Sequence, residues 1–187
     1  SKEKLRIKFF NLRKKKYKEL NSEHFSPLIK YIKNKYKKKK KILIALYYPT
    51  NCELNVLQIF NNGRFDNFIT LLPVIEKKQK MKFVKWGIYD LMKLNQYGIP
   101  EPLYTKHNLK PDVILIPLLS FDKFKNRLGY GKGYYDRFLG KFIKLNYKIE
   151  TIGIAFSFQK YRKLPITKHD ISLNKIFTEK GFLKWIF

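Results

Sequence analysis

The chain has little sulfur and little negative charge: one cysteine, two methionines and 14 acidic residues among 187, against 41 basic ones. The single Cys52 excludes an internal disulfide framework and a cysteine-built zinc site. His24, His107 and His169 show no metal-ligand spacing. No apolar run approaches the roughly 20 residues that span a bilayer. No apolar signal-peptide core follows Ser1-Lys2-Glu3-Lys4-Leu5-Arg6, so the expected setting is cytoplasmic, with no membrane partner. The shortage of acid leaves a formal charge of +27. Only six of the basic residues are arginine, whose planar fork binds phosphate bidentately, so the excess reads as composition bias first and binding signal second. It still favours anionic substrates.

What is present suffices for one folded domain, 44% of residues being hydrophobic and 17% aromatic. Leu5, Phe9 and Leu12 recur at helical spacing and predict a helix over 4–20. Ser26-Pro27 reads as an N-cap and first-turn proline, opening a second helix striped by Leu28, Ile32 and Tyr36. The five-lysine run 37–41 reads as a solvated segment. Continuous apolar runs at 42–48, 68–72, 112–117 and 150–156 suit strands buried on both faces, and 175–178 a short fifth. Residues 80–86 alternate and suit a half-exposed strand. Residues 53–62 are expected to be helical with Gly63 as C-cap, 98–102 a loop, and 133–145 a helix. Strands alternating with helices predict an α/β fold, a three-layer domain over 1–187 with a largely parallel central sheet and an N-terminal helical pair.

The densest chemistry lies in Asn126-Arg127-Leu128-Gly129-Tyr130-Gly131-Lys132-Gly133-Tyr134-Tyr135-Asp136-Arg137. Glycines at alternate positions bare the backbone to a ligand, and successive N–H groups can form an anion-binding concavity. Arg127 and Lys132 add positive charge, and a helix starting near Gly133 aims its positive dipole end at the same place. Asp136 lies in that helix's first turn, and Mg²⁺ typically takes one or two carboxylates plus phosphate oxygens. The spacing fits neither a Walker A loop, since Gly133 follows Lys132, nor the Rossmann fingerprint, whose third glycine would come one residue later.

The run RLGYGKGYYDRFL after Phe121-Asp122 resembles the signature of the 5-formyltetrahydrofolate cyclo-ligase family. Lys2-x-x-x-Arg6, Tyr48-Pro49 with Glu53, Leu72-Pro73-Val74-Ile75, Met81-x-Phe83, Gly98 to Pro102, Pro165-x-x-x-His169-Asp170 and Phe177 to Gly181 match in order and spacing. The chain departs from the family pattern at Leu118 and Lys125, where glycines are usual, and at Asn55, Val56 and Asn174.

The resemblance implies ATP and Mg²⁺ as cofactors, 5-formyltetrahydrofolate as substrate and an iminium phosphate intermediate. Lys2, Arg6 and the stretch Arg127, Leu128, Gly129, Tyr130, Gly131, Lys132, Gly133, Tyr134 and Tyr135 would bind ATP, with Lys132 catalytic. Tyr48, Glu53 and residues 130–134 would meet the folate, and Asp136 and Asp170 the metal. A monomer without a specific nucleic-acid partner is expected. Read from the residues alone, Lys2 and Arg6 are also plain solvated charges, Glu53 a helix-start charge, Tyr48 a core side chain and Asp170 a turn residue. A basic nucleic-acid module and another ATP-dependent ligase or kinase remain the rival functions.

Overall fold

A computed structural model describes residues 1–62, 67–104 and 106–184. Its helices are α1 (Lys2–Lys16), α2 (Ser26–Lys35) and α3 (Tyr134–Lys144). The strands are β1 (Ile42–Ala45), β2 (Phe68–Glu76), β3 (Lys80–Lys85), β4 (Met92–Leu94), β5 (Pro100–Pro102) and β6 (Val113–Pro117). They continue with β7 (Ser120–Phe121), β8 (Arg127–Leu128), β9 (Glu150–Ile154), β10 (Lys175–Thr178) and β11 (Gly181–Phe182). Seven of them form one sheet in the order β11-β10-β9-β6-β1-β2-β3. The inner five run parallel, and β3 and β11 close the edges antiparallel.

The apolar runs are continuous because the sheet is covered on both faces. In β6, Val113 and Leu115 pack on the side of Leu28, Ile29 and Ile32 from α2, while Ile114 and Ile116 pack on the side of Phe138, Leu139 and Phe142 from α3. The sheet is thus the middle of three layers. From β1 the chain steps outward to β2 and β3; from β6 it steps the other way, to β9 and β10. The strand order therefore reverses between β1 and β6, and ligands of open parallel sheets bind beyond the carboxyl ends of strands at such a point.

Five elements differ from the sequence expectation, three of them for an identifiable local reason. β2 runs through Pro73 to Glu76 rather than ending at Leu72. The Leu71 carbonyl faces β1, accepting from Leu46 N–H, while the Thr70 carbonyl faces β3, accepting from Trp86 N–H. Pro73 therefore turns its missing donor toward a side that β1 has already left, where it costs no ladder bond. On that same side the Ile75 N–H is satisfied by Glu101 Oε2 at 3.0 Å.

The proline-rich stretch expected as a loop contributes β5, paired with β4. Asn95 N–H donates to the Ile99 carbonyl, and Leu103 N–H, just beyond β5, donates to the Leu91 carbonyl, so Pro100 and Pro102 point their ring nitrogens away from the ladder. Residues 56–62 form a 3-10 helix rather than an α-helix over 53–62, started by the Asn55 side chain, which accepts the Leu57 N–H at 3.1 Å. Gly63 lies outside the described residues. α1 ends at Lys16, short of residue 20, and Ser26 is the first helical residue of α2 rather than its cap.

Candidate functional site

The chain leaves the sheet at the ends of β1 and β6 and builds a cleft of about 670 Å³ there. One wall is Tyr47 to Glu53, following β1; another is Pro117 and the segment 127–136, reached from β6 through the β7–β8 hairpin. Apolar Ile75, Met81 and Ile99 line a third side, with Tyr97 from the β4–β5 turn. The Asn95 side chain shapes that turn by accepting from Tyr97 and Ile99 N–H.

α1 supplies the fourth wall. Lys2, Arg6, Phe9 and Arg13 share one helical face, and that face turns to the cleft end of the sheet. The apolar stripe tracked only part of it: Phe9 is buried, but the other large buried side chain of α1 is Arg13, 1% exposed.

The glycine segment is an open cradle. Gly131 has φ +93° and Gly133 φ +67°, conformations that side-chain-bearing residues rarely adopt. A Cβ at Gly131 would come within 3.1 Å of the Arg6 guanidinium, and one at Gly133 within 2.8 Å of Arg137. Cations therefore pack directly on bare backbone. Arg6 Nε donates to the Gly129 carbonyl at 3.0 Å. The N–H groups of residues 129–133 find no acceptor among the described residues, and α3 begins at Tyr134 with no side-chain cap. Free amides and a positive helix end thus converge, as an anion site requires.

Every site residue expected from the sequence lines this cleft: Lys2, Arg6, Tyr48, Glu53, 127–136 and Asp170. Their cations are not equivalent. Arg127, its side chain 6% exposed, bonds Asp136 Oδ1 at 2.6 Å and the Ile171 carbonyl. Lys2 pairs with Asp170, and Arg6 with Glu3. Lys132 pairs with no carboxylate among the described residues and lies over the Tyr97 ring, 5.6 Å from its centroid. It is the cleft's uncommitted positive charge.

Glu53 faces the cradle from the β1 side and is 6% exposed. The Tyr130 hydroxyl donates to its Oε1 at 2.6 Å, and Thr50 N–H to its Oε2 at 2.9 Å. Burial pushes its pKa up, opposed by these two donors and by the charge of Arg13. Burial likewise raises the Tyr130 hydroxyl, so it stays a donor at neutral pH. The Glu53 carboxylate is therefore an acceptor held by Tyr130 and Thr50, and the helix that follows, Val56–Asn62, is a 3-10 helix rather than an α-helix.

Asp136 Oδ1 also accepts Ile171 N–H, while Asp170 Oδ2 accepts from Lys2 and Thr167. Burial alone would raise Asp170; the Lys2 and Thr167 donors outweigh it and hold the carboxyl below its usual range. Each carboxylate engages one oxygen, leaving Asp136 Oδ2 and Asp170 Oδ1 without a protein donor among the described contacts. No cluster of three or more His, Cys, Asp or Glu side chains suited to a metal occurs among the described residues. Asp136 and Asp170, each ion-paired through one oxygen, are the cleft carboxylates that could offer the other to a magnesium ion, whose remaining ligands would come from phosphate and water.

Fold and cleft together define a small α/β protein with an anion cradle at its switch point and a buried carboxylate opposite. The 5-formyltetrahydrofolate cyclo-ligase family model matches residues 1–179. The 5-formyltetrahydrofolate cyclo-ligase of Haemophilus influenzae is 33% identical over 136 residues, 70% of this chain and 72% of that relative. That of Escherichia coli is 31% identical over 120 residues, 61% of this chain and 65% of the relative. The solved 5,10-methenyltetrahydrofolate synthetase of Aquifex aeolicus superposes with a TM-score of 0.75 at 28% identity, covering 97% of this chain and 91% of the other. That of Mycoplasma pneumoniae gives 0.68 at 26% identity, covering 96% and 99%. The chain belongs to the 5-formyltetrahydrofolate cyclo-ligase family, and so to a family of enzymes.

The five departures from the family pattern lie away from the cleft lining. Leu118 and Val56 are core, and Asn174 Oδ1 ties to Thr151 N–H and hydroxyl at 2.8 Å. Asn55 bonds Glu19 and the Leu57 N–H. Lys125 occupies a glycine position with φ +63°. Left-handed backbone costs an L-residue about 1–2 kcal/mol, against about 0.5–1 kcal/mol of extra chain entropy for glycine. Lys125→Gly should therefore raise stability by about 0.5–1 kcal/mol, read as a higher Tm; an unchanged or lower Tm contradicts strain at this turn.

Proposed function

We propose that the cleft converts 5-formyltetrahydrofolate and ATP to 5,10-methenyltetrahydrofolate, ADP and phosphate. In this reading the formyl oxygen attacks the γ-phosphorus, displacing ADP and forming an iminium phosphate. The neighbouring amine nitrogen then attacks the activated carbon, loses its proton, and phosphate departs. Phosphoryl transfer needs positioning and charge neutralisation more than covalent help from the protein. The cleft offers those: free amides at 129–133, Arg6 packed against them, and Lys132 uncommitted beside them.

The observation that carries the reading is the opposition of two unlike walls. The cradle with Lys132 suits a triphosphate, and Glu53, an acceptor buried across from it, suits the N–H edge of a pterin. Tyr48 and Tyr97, with Ile75, Met81 and Ile99, supply apolar surface for a flat ring. Asp136 and Asp170 would hold magnesium, which would offset phosphate charge when bound. Arg127 serves the site indirectly, by fixing Asp136.

The test mixes the protein with Mg-ATP and 5-formyltetrahydrofolate and follows the methenyl chromophore together with ADP. Chromophore and ADP should appear in equal amounts. ATP turnover that ignores the folate, or that responds better to other acids or amides, would assign the cradle to a different ligase or kinase.

A further inference from the structure

Arg13 is the largest fully buried polar side chain among the described residues, 1% exposed, and none of its described contacts is a carboxylate. A guanidinium taken out of water without a counter-charge is costly unless its donors are satisfied and an anion is near. Each of its three nitrogens finds an acceptor, and the three acceptors lie on different segments. Nε donates to the Asn51 carbonyl at 3.0 Å, and Nη1 to the Leu118 carbonyl at 3.2 Å. Nη2 donates to the Tyr130 hydroxyl, which itself donates to Glu53. The anion is thus one hydroxyl away.

We infer that Arg13 is a positioning residue for folate recognition: acting through the Tyr130 hydroxyl and the Asn51 carbonyl, it holds Glu53 fixed and ionised as the acceptor for the pterin N–H edge. The inference rests on the reading of Glu53 given above and adds the group that makes Glu53 competent.

Three observations carry it. First, the turn before Glu53 is strained, with Asn51 at φ +51° and Cys52 at φ +59°, so it needs holding from outside. Arg13 grips that turn at Asn51. Second, the hydrogen bonds run in one direction, guanidinium to hydroxyl to carboxylate, which only an ionised or acceptor-oriented Glu53 completes. Third, the groups facing Glu53 are otherwise neutral near pH 7: Tyr47 after β1, Tyr130 in the glycine segment and Tyr135 in α3, all with raised pKa values. Among the described residues, Arg13 of α1 is the cation that favours the charged carboxylate there. The clamp also joins the Glu53 turn to the cradle through Tyr130, so the two ligand walls share one fastening.

The sign of the pH effect follows. Burial raises Glu53, and removing Arg13 removes an opposing charge, so the carboxyl protonates at higher pH than before. A protonated Glu53 loses acceptor capacity, so folate binding weakens on the acid side and recovers as pH rises through the raised value.

The experiment measures KM for 5-formyltetrahydrofolate against pH at saturating Mg-ATP, for wild type, Arg13→Gln, Arg13→Lys and Tyr130→Phe. Arg13→Gln should raise KM by about tenfold near pH 6, the scale of one charge-assisted hydrogen bond. The increase should shrink toward pH 9, with KM for ATP changed less. Arg13→Lys should restore part of the profile, since it returns the charge without the fork. If Arg13→Gln does not fold, Tyr130→Phe, which cuts the relay and keeps the cation, should shift the profile in the same direction. In a Glu53→Gln background, adding Arg13→Gln should introduce no further pH dependence. A KM increase that is equal at every pH, or a lowered Tm with an unchanged profile in both variants, overturns the inference. Failure of the wild type to make the methenyl product overturns the underlying reading instead, and is seen before any variant is compared.

Discussion

Lys132→Ala should lower kcat about 10²–10³-fold, or about 2.7–4 kcal/mol, by analogy with the loss of one preorganised donor to a developing anion. The size rests on the charge ledger of the cleft. Lys2 answers Asp170, Arg127 answers Asp136 and Arg6 has Glu3, so Lys132 alone carries charge that no described carboxylate offsets. Removing it should leave the fold intact, because the side chain is exposed and its one described contact is the Tyr97 ring. Ground-state affinity for ATP should fall less, since the free amides and Arg6 remain. An interaction made mainly in the transition state lowers kcat and kcat/KM together. Steady-state kinetics on a variant with an unchanged Tm checks this. A near-normal kcat would remove Lys132 from the reacting centre and leave the cradle as a binding site only.

How far the sequence revealed this site depended on whether the signal was local. Gly131 and Gly133 were legible because a positive φ and a close cation each demand glycine at one position. The runs expected at 112–117 and 150–156 were legible as strands, which span Val113–Pro117 and Glu150–Ile154, because two covered faces leave little room for polar alternation. Pro73 misled because its cost depends on whether β1 is still alongside, a fact about another strand. Residues 100–102 misled for the same reason, their prolines falling at the non-bonded positions of the β4–β5 ladder. Arg13 was lost among the basic residues of α1. Its signal in the sequence is that Lys2, Arg6, Phe9 and Arg13 share one face, a stripe more polar than the Leu5, Phe9 and Leu12 periodicity. Tyr97 had no signal beyond its neighbour Gly98; its approach to Tyr134, 2.9 Å between hydroxyls, is made by two segments far apart in sequence. Arg127 was visible as a cation but not as Asp136's partner, because nothing in a sequence says which way a guanidinium turns.

Asp136→Asn should show two separable losses. The first is structural. Asp136 Oδ1 accepts Arg127 at 2.6 Å and Ile171 N–H at 3.1 Å, tying the start of α3 to the cradle and to the segment before β10. Removing one partner of a buried pair costs about 3–5 kcal/mol, mostly from the stranded charge. Here the Arg127 side chain is 6% exposed but that of Asp136 is 25% exposed, and asparagine keeps an amide oxygen for one donor. The expected loss is therefore nearer about 1–3 kcal/mol, read as a lower Tm. The second loss is functional: a neutral amide is a poor magnesium ligand, so more magnesium should be needed for half-maximal turnover. Arg127→Met combined with Asp136→Asn tells the two apart. Deleting both charges removes the stranded guanidinium, so stability should return toward wild type while the raised magnesium requirement persists. A magnesium titration that instead returns to normal along with stability would show that Asp136 serves the cleft only by holding Arg127.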